Sequence, residues 1–251
     1  MNIHSQHKID YLLSLADTAL ILGQRLGEWC GHGPVLEQDI AMTNISLDYI
    51  GRSRLLYQYI ATLTESDEDR LAFLRDEREF KNVLLAEHPN VDFAYTVARQ
   101  FLLEAFHFPY YSELKNSSDL QLAAIAEKTV KETAYHLKWS AEWMIRLGDG
   151  TEISHQKIQT ALNELWSFTG ELFDPADYET FMLQESIAPD LNSINKSWKE
   201  KVQQVISEAT LTMPENQWMQ SGGKQGIHTE AMGFILTEMQ YMQRSYPGLT
   251  W

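Results

Sequence analysis

Residues 120–147 decide the fold, with the sequence LQLAAIAEKTVKETAYHLKWSAEWMIRL. Apolar and small side chains recur along this stretch at alternating steps of three and four, which is the period of one helix face. The stripe consists of Ala126, Val130, Thr133, Leu137, Ser140, Met144 and Leu147. "GDG" follows at 148–150, and glycine favours a helix end because it adopts the left-handed cap conformation without steric cost. The stretch therefore predicts one long amphipathic helix.

The same period predicts helices through most of the remaining chain. In residues 36–63 the inward stripe is Met42, Ile45, Tyr49, Arg52, Leu56, Tyr59 and Leu63. Further helices are predicted at 11–29, 91–114, 151–172, 175–186, 191–209 and 228–245. A shorter helix is predicted after "TESDEDR", in which Ser66 and the acids that follow it suit a helix N-terminus. No strand-like alternation and no linker interrupts them. We expect an all-α antiparallel four-helix bundle with additional C-terminal helices. The bundle and the extra helices form one domain over 1–251. The core of the bundle lies at about 8–149, and the helical extension lies at about 150–251.

Composition excludes several classes of partner. The 251-residue chain carries a net charge of −15, whereas nucleic acids and anionic membranes select basic surfaces. No apolar stretch reaches membrane-spanning length. The single cysteine, Cys30, cannot form an internal disulfide, and we predict that it is a small buried side chain in a cytoplasmic protein.

Residues 101–111, FLLEAFHFPYY, raise the question of a metal site. Glu104 and His107 stand three apart, and Glu-x-x-His on an inward helix face is half of a carboxylate-bridged dimetal site. Glu132 and His136 lie four apart on the next long helix, and Asp48 is the acid near the middle of the helix at 36–63. A complete site needs six inward ligands, which these residues do not supply.

The helix at 36–63 presents Arg52 where a histidine ligand could stand. A guanidinium is always charged and has no lone pair to give a metal. The central inward positions of the helix at 11–29 look apolar or glycine. We therefore predict no bound metal, and a buried polar cluster in which Glu104 or Glu132 meets Arg52 or Lys131.

The last helix predicts a docking surface. Residues 228–244, HTEAMGFILTEMQYMQR, have amphipathic spacing, and methionine and tyrosine suit a packed interface. An exposed apolar patch that includes Trp29 and Trp251 would also fit a protein that binds a partner.

Three segments resemble a known family: 23–54, GQRLGEWCGHGPVLEQDIAMTNISLDYIGRSR; 73–100, FLRDEREFKNVLLAEHPNVDFAYTVARQ; and 222–251, GGKQGIHTEAMGFILTEMQYMQRSYPGLTW. They are similar, in order and spacing, to the C subunits of bacterial phenylacetyl-CoA 1,2-epoxidase. The resemblance implies a ferritin-like bundle that pairs with a catalytic A subunit of related fold. That A subunit holds the di-iron centre and epoxidises the aromatic ring with molecular oxygen and electrons that a reductase subunit delivers from NADPH.

The resemblance also implies that the C subunit is a non-catalytic partner without a cofactor of its own. By this comparison the carboxylate of the first helix falls at Ala19, and the Glu-x-x-His of the second helix falls at Asp48–Tyr49 and Gly51–Arg52. The acid of the third helix falls at Glu104. The Glu-x-x-His of the fourth helix falls at Thr133 and His136, with Glu132 adjacent. Most of them are changed, and His107 is not a ligand position. We treat Asp48, Arg52, Glu104, His107, Glu132, Thr133 and His136 as candidates for a vestigial site.

Two functions follow from these expectations. In the first, the chain is a structural subunit of a multicomponent oxygenase. In the second, it is an autonomous ferritin-like metal-carboxylate oxidase or iron-binding protein that uses Asp48, Glu104, His107, Glu132 and His136. Metal analysis of the chain alone and association with an A subunit separate the two.

Overall fold

The computed structural model describes residues 3–215 and 218–249, which form nine α-helices and no strand. The helices are α1 Ile3–Gly27, α2 Leu36–Leu63, α3 Glu68–Phe73, α4 Phe93–Leu114, α5 Leu120–Gly148, α6 Glu152–Leu165, α7 Asp177–Gln184, α8 Leu191–Glu208 and α9 Glu230–Ser245. Short 3₁₀ turns lie at Glu77–Glu79, Leu84–Glu87, Trp166–Phe168, Gly170–Phe173 and Gly223–Gln225. The predicted all-α, ferritin-like class with additional C-terminal helices is confirmed.

The chain divides into two compact units. The first unit comprises Met1–Pro89, Ala176–Phe181 and Gly222–Trp251, and the second comprises Asn90–Pro175 and Met182–Ser221. Each unit contains one pair of long helices, α1 with α2 and α4 with α5. A single domain over 1–251 stays a prediction.

Side chains just before the helices supply their N-terminal caps. Asp92 accepts a hydrogen bond from the Tyr95 amide before α4, and Asp119 accepts one from the Leu122 amide before α5. Such a cap satisfies one of the first backbone N–H groups, which have no partner inside the helix. At α3 the cap is Asp67 rather than the predicted Ser66, since Asp67 accepts from the Arg70 amide.

In the first unit, α1 and α2 pack antiparallel. The Ser46 hydroxyl donates to the Gly23 carbonyl across 2.7 Å, and Tyr57, further along α2, contacts Asp17, further back along α1. Gly23 allows this approach, because a Cβ at position 23 would lie 2.9 Å from a side-chain carbon of Ile50.

The ends of α1 differ from the prediction. The helix begins at Ile3 rather than near Tyr11, and it ends at Gly27 rather than Trp29. Cys30 consequently falls in the turn that follows, where its side chain is exposed, so the predicted burial is wrong. Trp29 is half-buried in the same turn.

In the second unit, α4 and α5 also run antiparallel. Phe93 at the start of α4 meets Trp143 near the end of α5, with ring centroids 5.0 Å apart. Helix α8 packs against α4 through Trp198, whose indole N–H donates to the Leu102 carbonyl at 2.9 Å. α4 is therefore covered by helices of its own unit at the position of Glu104, two residues after Leu102.

Burial follows the predicted stripes closely. In α5, five stripe residues are buried: Ala126, Thr133, Leu137, Ser140 and Met144. In α2, Met42, Ile45, Tyr49, Arg52 and Leu56 are buried, whereas Leu63 at the helix end is exposed. None of the described helices combines the length and the apolar character needed to cross a lipid bilayer.

Candidate functional site

A buried carboxylate lies between two histidines in the second unit. Glu104 of α4 is fully buried, and His136 of α5 and His107 of α4 are at most 5% exposed. The Nδ1 atom of His136 lies 3.2 Å from Glu104 Oε1, and the Nδ1 atom of His107 lies 3.8 Å from Oε2. An ionised carboxylate only accepts hydrogen bonds, so the His136 Nδ1–H donates to it.

The electrostatics of this cluster favour the ionised carboxylate. Burial by itself raises the pKa of Glu104, because removal from water penalises the charge. Attraction to His136, the hydrogen bond from His136 and the neighbouring His107 ring outweigh burial, and the net pKa lies well below the ordinary value for glutamate. His107 and His136 therefore stabilise the negative charge of Glu104, as a metal ion or an arginine does in other proteins.

The neighbouring positions on α5 do not complete a metal site. The Thr133 hydroxyl donates to the Thr129 carbonyl of its own helix at 3.0 Å, so the residue at the position of a bridging carboxylate is engaged with the backbone. Glu132 lies 3.4 Å from Lys128 Nζ, an i, i+4 pair whose lysine is largely exposed. The structure thus brings together Glu104, His107 and His136, and it pairs Glu132 with Lys128.

The first unit holds the other candidate positions. Ala19 of α1 is buried and has no donor atom. Arg52 of α2 is 1% exposed, and its guanidinium carbon lies 4.7 Å from the centre of the Tyr49 ring. Asp48 is half-buried on the same helix. The predicted pairing of Arg52 or Lys131 with Glu104 or Glu132 stays a prediction.

The donor set does not fit a carboxylate-bridged di-iron centre. Such a centre needs acids at positions that are here Ala19 and Thr133, whose hydroxyl is satisfied by the backbone, and a histidine where this chain has Arg52. Within residues 3–215 and 218–249, no group of three or more His, Cys, Asp or Glu side chains has an arrangement that could hold a metal ion. That this chain carries no cofactor stays a prediction.

Sequence reasoning missed a buried ion network on α1. Asp17, in a stretch whose inward positions we expected to be apolar or glycine, is fully buried and contacts Arg75, Tyr57 and the Lys81 amide. The Arg75 guanidinium also lies 4.1 Å from the centre of the Phe80 ring. Burial lowers the pKa of Arg75, but the charge of Asp17 outweighs it and the net pKa is raised. The sequence offers no local signal, since Asp17 and Arg75 lie 58 positions apart.

A second network, around Glu87, was missed as well. Glu87 is fully buried and accepts hydrogen bonds from the side chains of Asn82 and His228 and from both the amide and the hydroxyl of Thr229. His228 Nδ1 lies 2.6 Å from Glu87 Oε1, and Nε2 lies 3.0 Å from the Phe80 carbonyl. Both partners are acceptors, so the geometry suits a protonated imidazole in which both ring nitrogens donate. We call these residues the Glu87 network.

Comparison with known proteins identifies the family. A family model described as "Phenylacetic acid catabolic protein" matches residues 1–251. The chain belongs to this family. It is 50% identical, over 242 residues, to the C subunit of the 1,2-phenylacetyl-CoA epoxidase of Escherichia coli (strain K12), across 96% of this chain and 98% of that protein. The resemblance read from the three sequence segments is confirmed.

The prediction of two exposed tryptophans is tested by the structure at Trp29 alone among the described residues. Trp29 is half-buried, and Trp251 lies outside the described residues. Trp218, which the sequence did not single out, is 76% exposed. Trp29 and Trp218 therefore do not form an exposed tryptophan patch for a partner within the described residues.

Proposed function

We propose that this chain is the non-catalytic C subunit of a phenylacetyl-CoA 1,2-epoxidase. It docks and stabilises the di-iron A subunit during aerobic phenylacetate degradation. A reductase subunit belongs to the same cytoplasmic hetero-oligomer, and neither nucleic acid nor membrane is a partner. The support is the identity to the Escherichia coli C subunit over nearly the whole of both chains.

One structural observation carries the non-catalytic part of the proposal. Thr133 stands at a position where the catalytic pattern requires a carboxylate, and its hydroxyl is bonded to the Thr129 carbonyl. Without that carboxylate, Glu104 takes its stabilisation from His107 and His136. The cluster is then a structural element, and oxygen activation belongs to the A subunit.

The experiment compares the chain alone with the chain and the A subunit produced together. We expect the chain alone to hold far less than one iron per molecule and to show no epoxidation. We expect a stable hetero-oligomer on size exclusion when both are present, with iron in proportion to the A subunit. Stoichiometric iron in the chain alone, lost in Glu104→Gln, would instead support the autonomous metalloprotein.

A further inference from the structure

Helix α9 is held rigidly against the first unit by its inner side. Met232, Ile235, Leu236 and Gln240 are buried on that side. The Gln240 amide donates to the carbonyls of Ala72 and Arg75, at 3.3 and 3.0 Å, and Arg244 donates to the Arg75 carbonyl at 2.9 Å. Just before the helix, the Glu87 network fixes His228 and Thr229. The position of α9 is thus set at both ends.

The outer side of the same helix leaves large aromatic side chains in water. Phe234 is 68% exposed and Tyr241 is 60% exposed, one heptad apart on one line of the helix. Beside them a groove of about 440 Å³ runs past Gly233, Thr237 and Tyr241 to Asp76 and Glu77. We call Phe234, Tyr241 and this groove the α9 face. Ordered aromatic side chains lose little conformational freedom on binding, which makes them typical interface anchors.

Charge selects among the possible occupants of the α9 face. Glu77, Glu230 and Glu238 are exposed beside it, while the nearby cation Arg244 is engaged by Asp76 at 3.0 Å. A second copy of this chain would place these carboxylates against their equivalents and would bring together two chains of charge −15. A complementary surface has an apolar centre flanked by lysine or arginine.

We infer that the α9 face is the surface on which the A subunit docks, through an apolar segment that fills the groove beside Gly233 and basic side chains that meet Glu77, Glu230 and Glu238. This inference rests on the proposed function, because it names the surface that the proposed docking uses.

Gly233 allows a test that does not damage the fold. A Cβ added at this position would meet only the carboxylate of Glu77, at 3.7 Å, which is an ordinary contact. Gly233→Leu removes a glycine that weakens a helix interior and fills the groove. Gly51→Leu in α2 is the matched control, because it makes the same change in another helix where nothing lies within 4 Å of an added Cβ.

The measurement is the dissociation constant for purified A subunit, by titration calorimetry, for the wild type, Gly233→Leu, Gly51→Leu and Phe234→Ala. We expect Gly233→Leu and Phe234→Ala to weaken binding by about tenfold or more. Gly51→Leu should stay within about twofold of the wild type. Helical circular dichroism should be equal in all four proteins.

The outcomes separate the inference from the proposed function. If the wild type does not bind the A subunit, the proposed function and the inference both fail. If the wild type binds and Gly233→Leu and Phe234→Ala bind equally well, the docking role survives and the α9 face is not the surface. If Gly51→Leu alone loses binding, the outer side of α2 is the docking surface and the inference is overturned.

Discussion

At the residue scale, Glu104 shows how two histidines can keep a buried carboxylate ionised. Two histidines on two helices share it, at 3.2 and 3.8 Å, in surroundings from which water is excluded. Breaking a buried ion pair leaves the remaining charge uncompensated, which costs more than the pair itself contributes. We therefore expect the cluster to fix the register of α4 against α5 more than it adds net stability.

The substitution Glu104→Gln tests this role of the cluster. It should lower the free energy of unfolding at pH 7 by about 3 kcal/mol, measured by urea denaturation. Glu142→Gln is the control, because the ion pairs of Glu142 with Lys138 and Arg146 are exposed and their loss should cost about 0–1 kcal/mol. Equal small losses in both variants would contradict a structural role for Glu104.

The lowered pKa of Glu104 gives the same variant a pH dependence. A depressed pKa means that the stabilisation is present above about pH 4.3, the ordinary value for glutamate, and is lost as pH falls toward the folded-state pKa. The difference in unfolding free energy between wild type and Glu104→Gln should accordingly shrink below about pH 4. A difference that grows with acid would show that the pKa is raised.

His228 should behave in the opposite sense. Burial lowers its pKa, but the hydrogen bond and charge of Glu87 outweigh this effect, with help from the Phe80 carbonyl and from Glu77, and the net pKa is raised. The stabilisation that His228 gives the folded state is then complete below about pH 6.5, and it is lost as pH rises through the raised pKa. His228→Gln should cost about 1.5–3 kcal/mol at pH 6 and progressively less at higher pH, measured by denaturation at each pH. A cost independent of pH would contradict the doubly donating imidazole.

At the element scale, the helix ends and inward stripes could be predicted because their signals are local. Helix α2 begins and ends at the predicted residues, and α5 extends one residue beyond its predicted end at Leu147. The early start of α1 could not be predicted, because residues 3–10 are mostly polar. Their helix is stabilised from outside, where the His7 ring stacks on Phe181 with centroids 4.8 Å apart. Such contacts override local propensity.

In the candidate site, too, local sequence patterns could be predicted and distant contacts could not. A buried polar cluster around Glu104 was predicted, although with Arg52 or Lys131 as the partner and not with His136. The Glu87 network was not, since Glu87 and His228 stand 141 positions apart and neither has a local sequence that points to the other. Sequence pattern shows which side chains face inward, but a distant partner depends on how the elements meet.

The turn just before His228 of the Glu87 network depends on close backbone approach. Gly226 has a φ of +78°, and a Cβ there would lie 2.3 Å from the Arg78 carbonyl oxygen. Gly226→Ala should lower the free energy of unfolding by about 2 kcal/mol or more. Gly248→Ala is the matched control, because φ is +82° but nothing lies within 4 Å, so it should cost only about 1 kcal/mol of backbone strain. Thermal denaturation measures both, and equal costs would show that the approach to Arg78 is unimportant.

At the scale of the whole molecule, docking should appear as linked stability. A partner that binds only the folded chain stabilises it by about 2.7 kcal/mol at a free concentration one hundred times the dissociation constant. We therefore expect the melting temperature of the chain to rise when A subunit is titrated in, as followed by a fluorophore on this chain. Bovine serum albumin at equal concentration should leave it unchanged. A rise that does not saturate with A subunit would contradict specific docking.

The net charge of −15 adds a salt dependence to that association. If basic side chains of the A subunit meet the acidic α9 face, the association rate should fall steeply as ionic strength rises through the physiological range. Stopped-flow mixing at several salt concentrations measures this rate. An association rate that is insensitive to salt would point to a docking surface without charge complementarity.

The first unit is discontinuous along the chain, and this has a consequence for synthesis on the ribosome. His228 and Thr229 are synthesised about 140 residues after Glu87, so the acid at first has Asn82 as a partner but lacks these two. The second unit, by contrast, has all its residues before position 222. Closure of the Glu87 network is thus postponed until residues 228 and 229 have left the exit tunnel.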